Sequence, residues 1–260
     1  VDLFDSVTDI GARAFAGCTQ LEELTLPDSL TTIGEGALDG LTGLKKLVVK
    51  CDPALIPAGV FANMPNLSEV TIESGAVPAH MFEGSGVTAL TLGAGVTEIG
   101  EKAFAGTALN AAEMTNVTVI GAGAFANTAL TSVDLPQAAA IGEGAFEGSA
   151  LESVRLNASA SVGERAFANT KLKQLVIPTA GSFPLSAVEG TSAELRLPAD
   201  ATDEQLSAWN ETLKRPWYDP MLREGEASNF VKMPFEPTPA ENFEFDPETG
   251  LISAYTGTDV

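Results

Sequence analysis

One large side chain returns along this sequence at nearly constant intervals: Phe15, Leu38, Phe61, Phe82, Phe104, Phe125, Phe146, Phe167 and Val188. Successive spacings are 23, 23, 21, 22, 21, 21, 21 and 21 residues. A fixed period of that length predicts a solenoid, in which each coil buries its apolar face against its neighbours. Each period divides into three parts. Ile, Val or Phe comes first and is followed by Gly or Pro, as at Ile10-Gly11, Ile141-Gly142 and Phe183-Pro184. A short stretch of the type E-G-A-F-A-G comes next. Two residues after the anchor stands Gly or Asn in every period, from Gly17 to Gly190. Both accept left-handed backbone at low cost, so a helical turn ended by a left-handed residue is expected. Last comes L-x-x-L-x-L, as in Leu151, Val154 and Leu156. Its final residues alternate inward and outward, the pattern of a strand.

Stacking such coils predicts one parallel sheet, with the phenylalanines as a second internal ladder. The residues facing out of that sheet follow from the spacing: Glu23, Thr25, Lys46, Val48, Glu69, Thr71, Ala89, Thr91, Ala111, Glu113, Ser132, Asp134, Ser153, Arg155, Gln174, Val176, Glu194 and Arg196. This row mixes charges and contains no aromatic residue. Ala112 and Met114 weaken the strand of the fifth period.

The repeats stop near Pro198, which gives a solenoid over residues 1–200. Thr202 and Gln205 then have the spacing of a capping box. Leu206, Trp209 and Leu213 share one face of the helix that follows, and Pro216 ends it. A helical cap over the open end of the last coil is therefore expected within residues 201–218. Residues 219–242 read as a Pro-rich, acidic linker. In the last stretch, 243–260, Phe243-Glu244-Phe245 and Leu251 to Tyr255 flank the turn signal Pro247-Glu248-Thr249-Gly250, so a hairpin is expected.

The net charge of -21 disfavours nucleic acid and anionic membrane surfaces, both of which recruit Lys and Arg. Solubility is its simplest consequence. No apolar run approaches the ~20 residues needed to cross a bilayer, and no basic-then-apolar leader begins at Val1. Cys18 takes a position filled elsewhere by Leu, Met, Ser or Thr, which predicts a small packed side chain, and Cys51 takes a different one. Neither belongs to a C-x-x-C, and a disulfide between them is not expected.

Little in the sequence points to catalysis. His80 is the one histidine and lies in a turn, without the Cys partners of a zinc site. No G-x-S-x-G surrounds a serine. The G-x-G triplets, such as Gly142-Glu143-Gly144, recur in phase and so shape the coil instead of cradling phosphate. No calcium-loop pattern is present. The four N-x-S/T matches, at Asn66, Asn116, Asn157 and Asn210, are of a length that arises by chance.

The sentence I-G-x-x-A-F-x-G-x-x-x-L-x-x-V-x-L-P, held in phase from Thr8 to Pro198, resembles the BspA-like, or Treponema pallidum-type, leucine-rich repeats. The resemblance implies an α/β repeat, a leucine-rich-repeat solenoid of about nine coils of 21–23 residues. It implies a bacterial surface or secreted protein, some relatives being adhesins. The closing hairpin resembles the start of a further repeat module, which makes this sequence read as a piece of a longer chain. The expected function is therefore non-enzymatic binding of a protein or glycan on host or bacterial surfaces, by a monomer without cofactors. The candidate ligand-facing residues are Lys46, Glu69, Thr71, Thr91, Asp134, Ser153, Arg155, Gln174 and Arg196. The alternative is a structural spacer within a larger surface protein.

Overall fold

A computed structural model describes residues 3–178, 183–212 and 221–226, and the backbone of two further strands at 243–245 and 252–255. Coils are numbered here by their anchors, from coil 1 at Phe15 to coil 9 at Val188. The strands are β1 (Asp9–Ile10), β2 (Glu23–Leu26), β3 (Thr32–Ile33), β4 (Lys46–Val49), β5 (Glu69–Val77), β6 (Ala89–Ile99), β7 (Val119–Ile120) and β8 (Ser132–Leu135). They continue with β9 (Ala140–Ile141), β10 (Ser153–Leu156), β11 (Ser161–Val162), β12 (Gln174–Val176) and β13 (Glu194–Leu197). Helix α1 (Asp203–Thr212) and strand β14 (Leu222–Arg223) follow the last coil, and β15 (Phe243–Phe245) pairs antiparallel with β16 (Ile252–Tyr255).

The strands form two parallel ladders where the sequence predicts one sheet. The front ladder is built from the L-x-x-L-x-L segments, in register from Leu24 to Leu47, Val70 and Leu90. The side ladder uses the two residues that end in Ile or Val before Gly or Pro. In it, Ile99, Ile120, Ile141 and Val162 pair in sequence. Strands β5 and β6 run round the corner and join the two ladders into a seven-stranded sheet, ordered β11-β9-β7-β6-β5-β4-β2. The side ladder is not evident from the sequence because two residues are too few to show an alternation.

The third side of each coil carries the anchors. Six phenylalanines, from Phe61 to Phe167, are fully buried and stack at centroid distances of 5.9, 5.2, 5.4, 5.4 and 5.7 Å, nearly parallel. Burying one such ring stabilises the fold by about 1.5–3 kcal/mol. Around them the expected helical turn becomes a run of tight turns. In coil 7 the N–H groups of Gly144, Phe146 and Gly148 donate to the carbonyls of Glu164, Ala166 and Ala168 in coil 8. The alternate N–H groups of Ala145, Glu147 and Ser149 donate back to Gly142, Gly144 and Phe146. This alternation gives each of these donors a partner, as burial demands. It goes with positive φ twice in each of coils 1 to 8 and once in coil 9. One column is the Gly/Asn position, positive in all nine coils. The other stands four residues earlier, at Arg13, Gly36, Gly59, His80, Lys102, Gly123, Gly144 and Arg165.

Beneath the anchors, Ser85, Thr107, Thr128 and Thr170 are buried, and each donates its hydroxyl to the carbonyl three residues earlier, at 2.7–2.9 Å. Cys18 belongs to the same column but is exposed, which corrects its expected packing. It lies in the terminal coil, where residues 3–8 of the described chain precede the side ladder. Cys51 is buried, and burial pushes its thiol up to about 11, so it stays protonated and unreactive.

The capping box forms as the spacing predicts. Thr202 N–H donates to Gln205 Oε1 at 2.8 Å, and Gln205 N–H donates to Thr202 Oγ1 at 3.2 Å. Trp209 is buried against the core of the last coils, with Leu206 beside it. Leu213, Pro216, most of the 219–242 linker and the turn at 247–250 lie outside the described residues.

Candidate functional site

The front ladder carries the candidate row, and the structure divides it into groups. On β4 and β5, Lys46 pairs with Glu69 at 3.7 Å. On β5 and β6, half-buried Thr71 stands beside exposed Thr91. On β8 and β10, Ser132 stands beside Ser153 and Asp134 beside Arg155. Gln174 is exposed on β12, which pairs with β13.

Arg196 is not on the exposed row, which corrects the sequence expectation. Its side chain is only 10% exposed. Strand β14 pairs with β13 beside it, and the Arg196 guanidinium donates to Glu194 at 2.5 Å and to the carbonyls of Arg223 and Glu226. The cover comes from residues 221–226, where no repeat signal pointed. Arg223 in turn binds Asp203, Glu226 and the Ala201 carbonyl, tying this segment to the start of α1. The Glu226 carboxyl is held below the usual carboxylate range, chiefly by the Arg223 backbone N–H.

Between β6 and β8 the front ladder is broken. Coil 5 runs through residues 109–114 without forming a strand there. The local sequence explains the break. Asn110-Ala111-Ala112-Glu113 contains no β-branched residue, whereas coil 6 has Thr131-Ser132-Val133-Asp134 at the same positions. Ala112 also leaves unfilled the layer occupied by Leu90 on one side and Val133 on the other. The consequences reach the neighbours. Leu90 and Leu92 on β6, which borders the break, are half-exposed, although their counterparts in β2 and β4 are buried. Val133 and Leu135 on β8 stay buried; the half-exposed Val154 and Leu156 on β10 border a second gap, towards β12, with which β10 forms no strand pairing.

The break opens a concavity of about 770 Å³ in the front face. Ala111, Ala112 and the half-exposed Leu90 line it, and Glu113, Asp134 and Arg155 supply its charges. A smaller hollow of about 170 Å³ lies on the other side of Arg155, towards Val176 and Pro178. Among the described residues, Arg155, Asp134 and Glu113 form no ion pair with one another or with any other side chain. Elsewhere on the solenoid the described cations are mixed: Arg13, Lys50, Lys102 and Lys171 also form no ion pair among the described residues, while others do. Lys45 pairs with Glu22 at 2.7 Å, and Arg165 on the anchor side bridges Glu147, at 2.5 Å, and Glu189.

Backbone groups are also free at the break. From Ala108 to Asn116 no backbone N–H donates to another described residue. The equivalent stretches of other coils donate to the coil before, as Lys45, Lys46, Ser68 and Glu69 do. The sequence flagged Ala112 and Met114 as weak strand residues, but the hollow around them depends on how the neighbouring coils close, which spacing does not show.

The remaining sequence candidates have structural roles. His80 takes a positive φ on the anchor side and bonds Glu83 at 2.7 Å. A Cβ on Gly142 would lie 2.6 Å from the Ala122 nitrogen, and Gly144 has φ +58, so this G-x-G triplet serves coil packing. The amides of Asn66 and Asn157 donate to the carbonyls of Thr42 and Pro136, and that of Asn210 to the carbonyl of Met221. Among the described residues no group of three or more His, Cys, Asp or Glu is placed to hold a metal ion. No helix among them is long and apolar enough to cross a membrane.

A family model for the BspA type leucine rich repeat region matches residues 1–104 and 75–191, with six copies of the repeat. The chain belongs to that family. A leucine-rich repeat protein from Bacteroides ovatus shares its fold, at 23% identity and a TM-score of 0.51. That alignment covers 68% of this BspA-type chain and 51% of the Bacteroides protein, so the chain spans about half of that protein's length. A leucine rich cell surface protein from Faecalibacterium prausnitzii aligns at 18% identity and a TM-score of 0.28, over 78% of this chain and 85% of its own. A leucine-rich repeat protein from Eubacterium ventriosum aligns at 16% identity and a TM-score of 0.32, with the same coverage. No curated protein matches the chain.

Proposed function

We propose that this chain is a non-enzymatic binding module of a bacterial surface or secreted protein, and that its front face binds a protein. The observation that carries this reading is the break at coil 5. It concentrates in one concavity an apolar floor, three charges without ion-pair partners among the described residues and a run of backbone donors without acceptors among them. Such groups bind when a partner completes them. Curved repeat surfaces are commonly used in this way. Membership of the BspA-type family supports the location outside the cell, because the resemblance implies surface proteins.

A protein ligand fits better than a glycan. Sugar rings are usually held on aromatic faces, and no residue lining the concavity is aromatic.

The test is direct. The module is immobilised and screened against host matrix proteins, mucins and whole bacteria. Saturable binding that Arg155→Ala weakens, with the melting temperature unchanged, supports the reading. No saturable binding to any of them contradicts it. Antibody labelling of intact cells that express the parent protein checks the location.

The spacer reading draws on one different feature. Part of the front face is satisfied within itself, as the Lys46–Glu69 pair shows. A spacer predicts that charge reversals at Asp134 and Arg155 leave adhesion of the parent protein unchanged.

A further inference from the structure

The hollow at coil 5 has the features of a site for extended polypeptide. We propose that the broken rung binds a peptide segment of the partner in extended conformation, with an acidic side chain on Arg155 and a neighbouring basic side chain between Asp134 and Glu113. This rests on the protein-binding reading above and adds the chemistry of the partner.

Three observations carry it. First, the backbone N–H groups from Ala108 to Asn116 have no acceptor among the described residues. Strand β8 pairs only with β10, and the first half of β6 pairs only with β5, so both strands present an unpaired edge towards coil 5. The ligand that supplies donors and acceptors at strand spacing is another polypeptide backbone. Second, the floor is made of small and aliphatic side chains, Ala111, Ala112 and Leu90, which leave room for a main chain to approach. Third, the charges are complementary to a mixed segment. Arg155 carries a guanidinium without an ion pair among the described residues, in a chain of net charge -21, and a carboxylate satisfies its fork with two parallel bonds. Asp134 on the adjacent strand and Glu113 at the break disfavour a purely acidic ligand and favour Lys or Arg beside the carboxylate.

The geometry also separates this site from the front face between β2 and β6. Between β2 and β6 the strands pair without interruption, so a partner on that face, away from the outer edge of β2, meets side chains only. At coil 5 it meets main chain as well.

The experiment pans a random dodecapeptide phage library against the whole 260-residue chain, followed by titration of the enriched peptides in solution. Three variants are compared. Arg155→Ala removes the cation, Ala111→Trp fills the hollow at an exposed position, and Glu101→Ala alters an exposed residue on the anchor side. Circular dichroism melts establish that each is folded. The proposal expects enriched peptides that pair Asp or Glu with Lys or Arg. It expects at least ten-fold weaker binding by Arg155→Ala and by Ala111→Trp, and no change with Glu101→Ala. It also expects hydrogen exchange at Ala108 to Asn116 to slow at least ten-fold when peptide saturates the protein, which a side-chain-only contact would not produce. Failure to enrich any peptide, or peptides that bind all variants equally, overturns it. If an intact matrix protein or bacterial surface still binds and neither Arg155→Ala nor Ala111→Trp weakens it, this site falls and the protein-binding reading stands. If nothing binds in either format, both fall.

Discussion

The Gly/Asn column shows one side chain restricting the residue in the next coil. Asn63, Asn127 and Asn169 all have positive φ, and each is followed one coil later by glycine, at Gly84, Gly148 and Gly190. A Cβ at those glycines would stand 2.7, 2.5 and 2.3 Å from the asparagine Oδ1. Two asparagines in adjacent coils are therefore disfavoured. Gly148→Asn, flanked by Asn127 and Asn169, is expected to destabilise by about 1–3 kcal/mol in chemical denaturation. Adding Asn127→Gly should restore part of that loss, a coupling that a double-mutant cycle measures. The hydroxyl column allows a second comparison. Thr128 donates to the Phe125 carbonyl at 2.9 Å, whereas the buried Ser149 hydroxyl has no partner among the described residues. Thr128→Ala should cost about 1 kcal/mol or more, and Ser149→Ala should be close to neutral. The first left-handed column was legible in the sequence because every position holds Gly or Asn. The second was not, since Arg13, His80, Lys102 and Arg165 share it and give no compositional cue.

At the scale of the element, the broken rung and the anchor-side ion pairs make separate predictions. Ala112→Val replaces the small residue with the one coil 6 uses. It should fill the layer between Leu90 and Val133, stabilise by about 0.5–2 kcal/mol and slow amide exchange around Ala111 and Glu113. Unchanged exchange would mean that the break has another cause. On the anchor side, the Arg165 hydrogen bond holds the Glu147 carboxyl below the usual carboxylate range. A carboxyl depressed in the folded state stabilises fully above its unfolded value, about 4, and that stabilisation is lost as pH falls through the lower folded value. Glu147→Gln should therefore melt below the wild type near neutral pH, with the gap closing as pH falls to about 3. The difference between the two proteins is the proper readout, because acid also relieves the general repulsion of a chain at -21. The weak strand of coil 5 was legible from Ala112 and Met114. The covering of Arg196 was not, because β14 lies outside the repeats and follows no period.

For the whole molecule, the period fixes a stack of coils, and the stack decides which residues a partner can meet. The phenylalanine ladder, the hydroxyl column and the turn-edge hydrogen bonds serve cohesion between coils. That leaves binding to the places where the stack is imperfect, and coil 5 is such a place on the front face. The solenoid itself was plain from nine anchors in phase. Its division into two ladders was not, because the corner turned by β5 and β6 appears in no spacing. The most direct measurement is the affinity of the folded chain for the matrix protein or bacterial surface that the screen identifies, before and after Ala111→Trp. At least a ten-fold loss is expected, with the melting temperature of the variant within a few degrees of the wild type. Equal affinity of the two proteins, both folded, would contradict it.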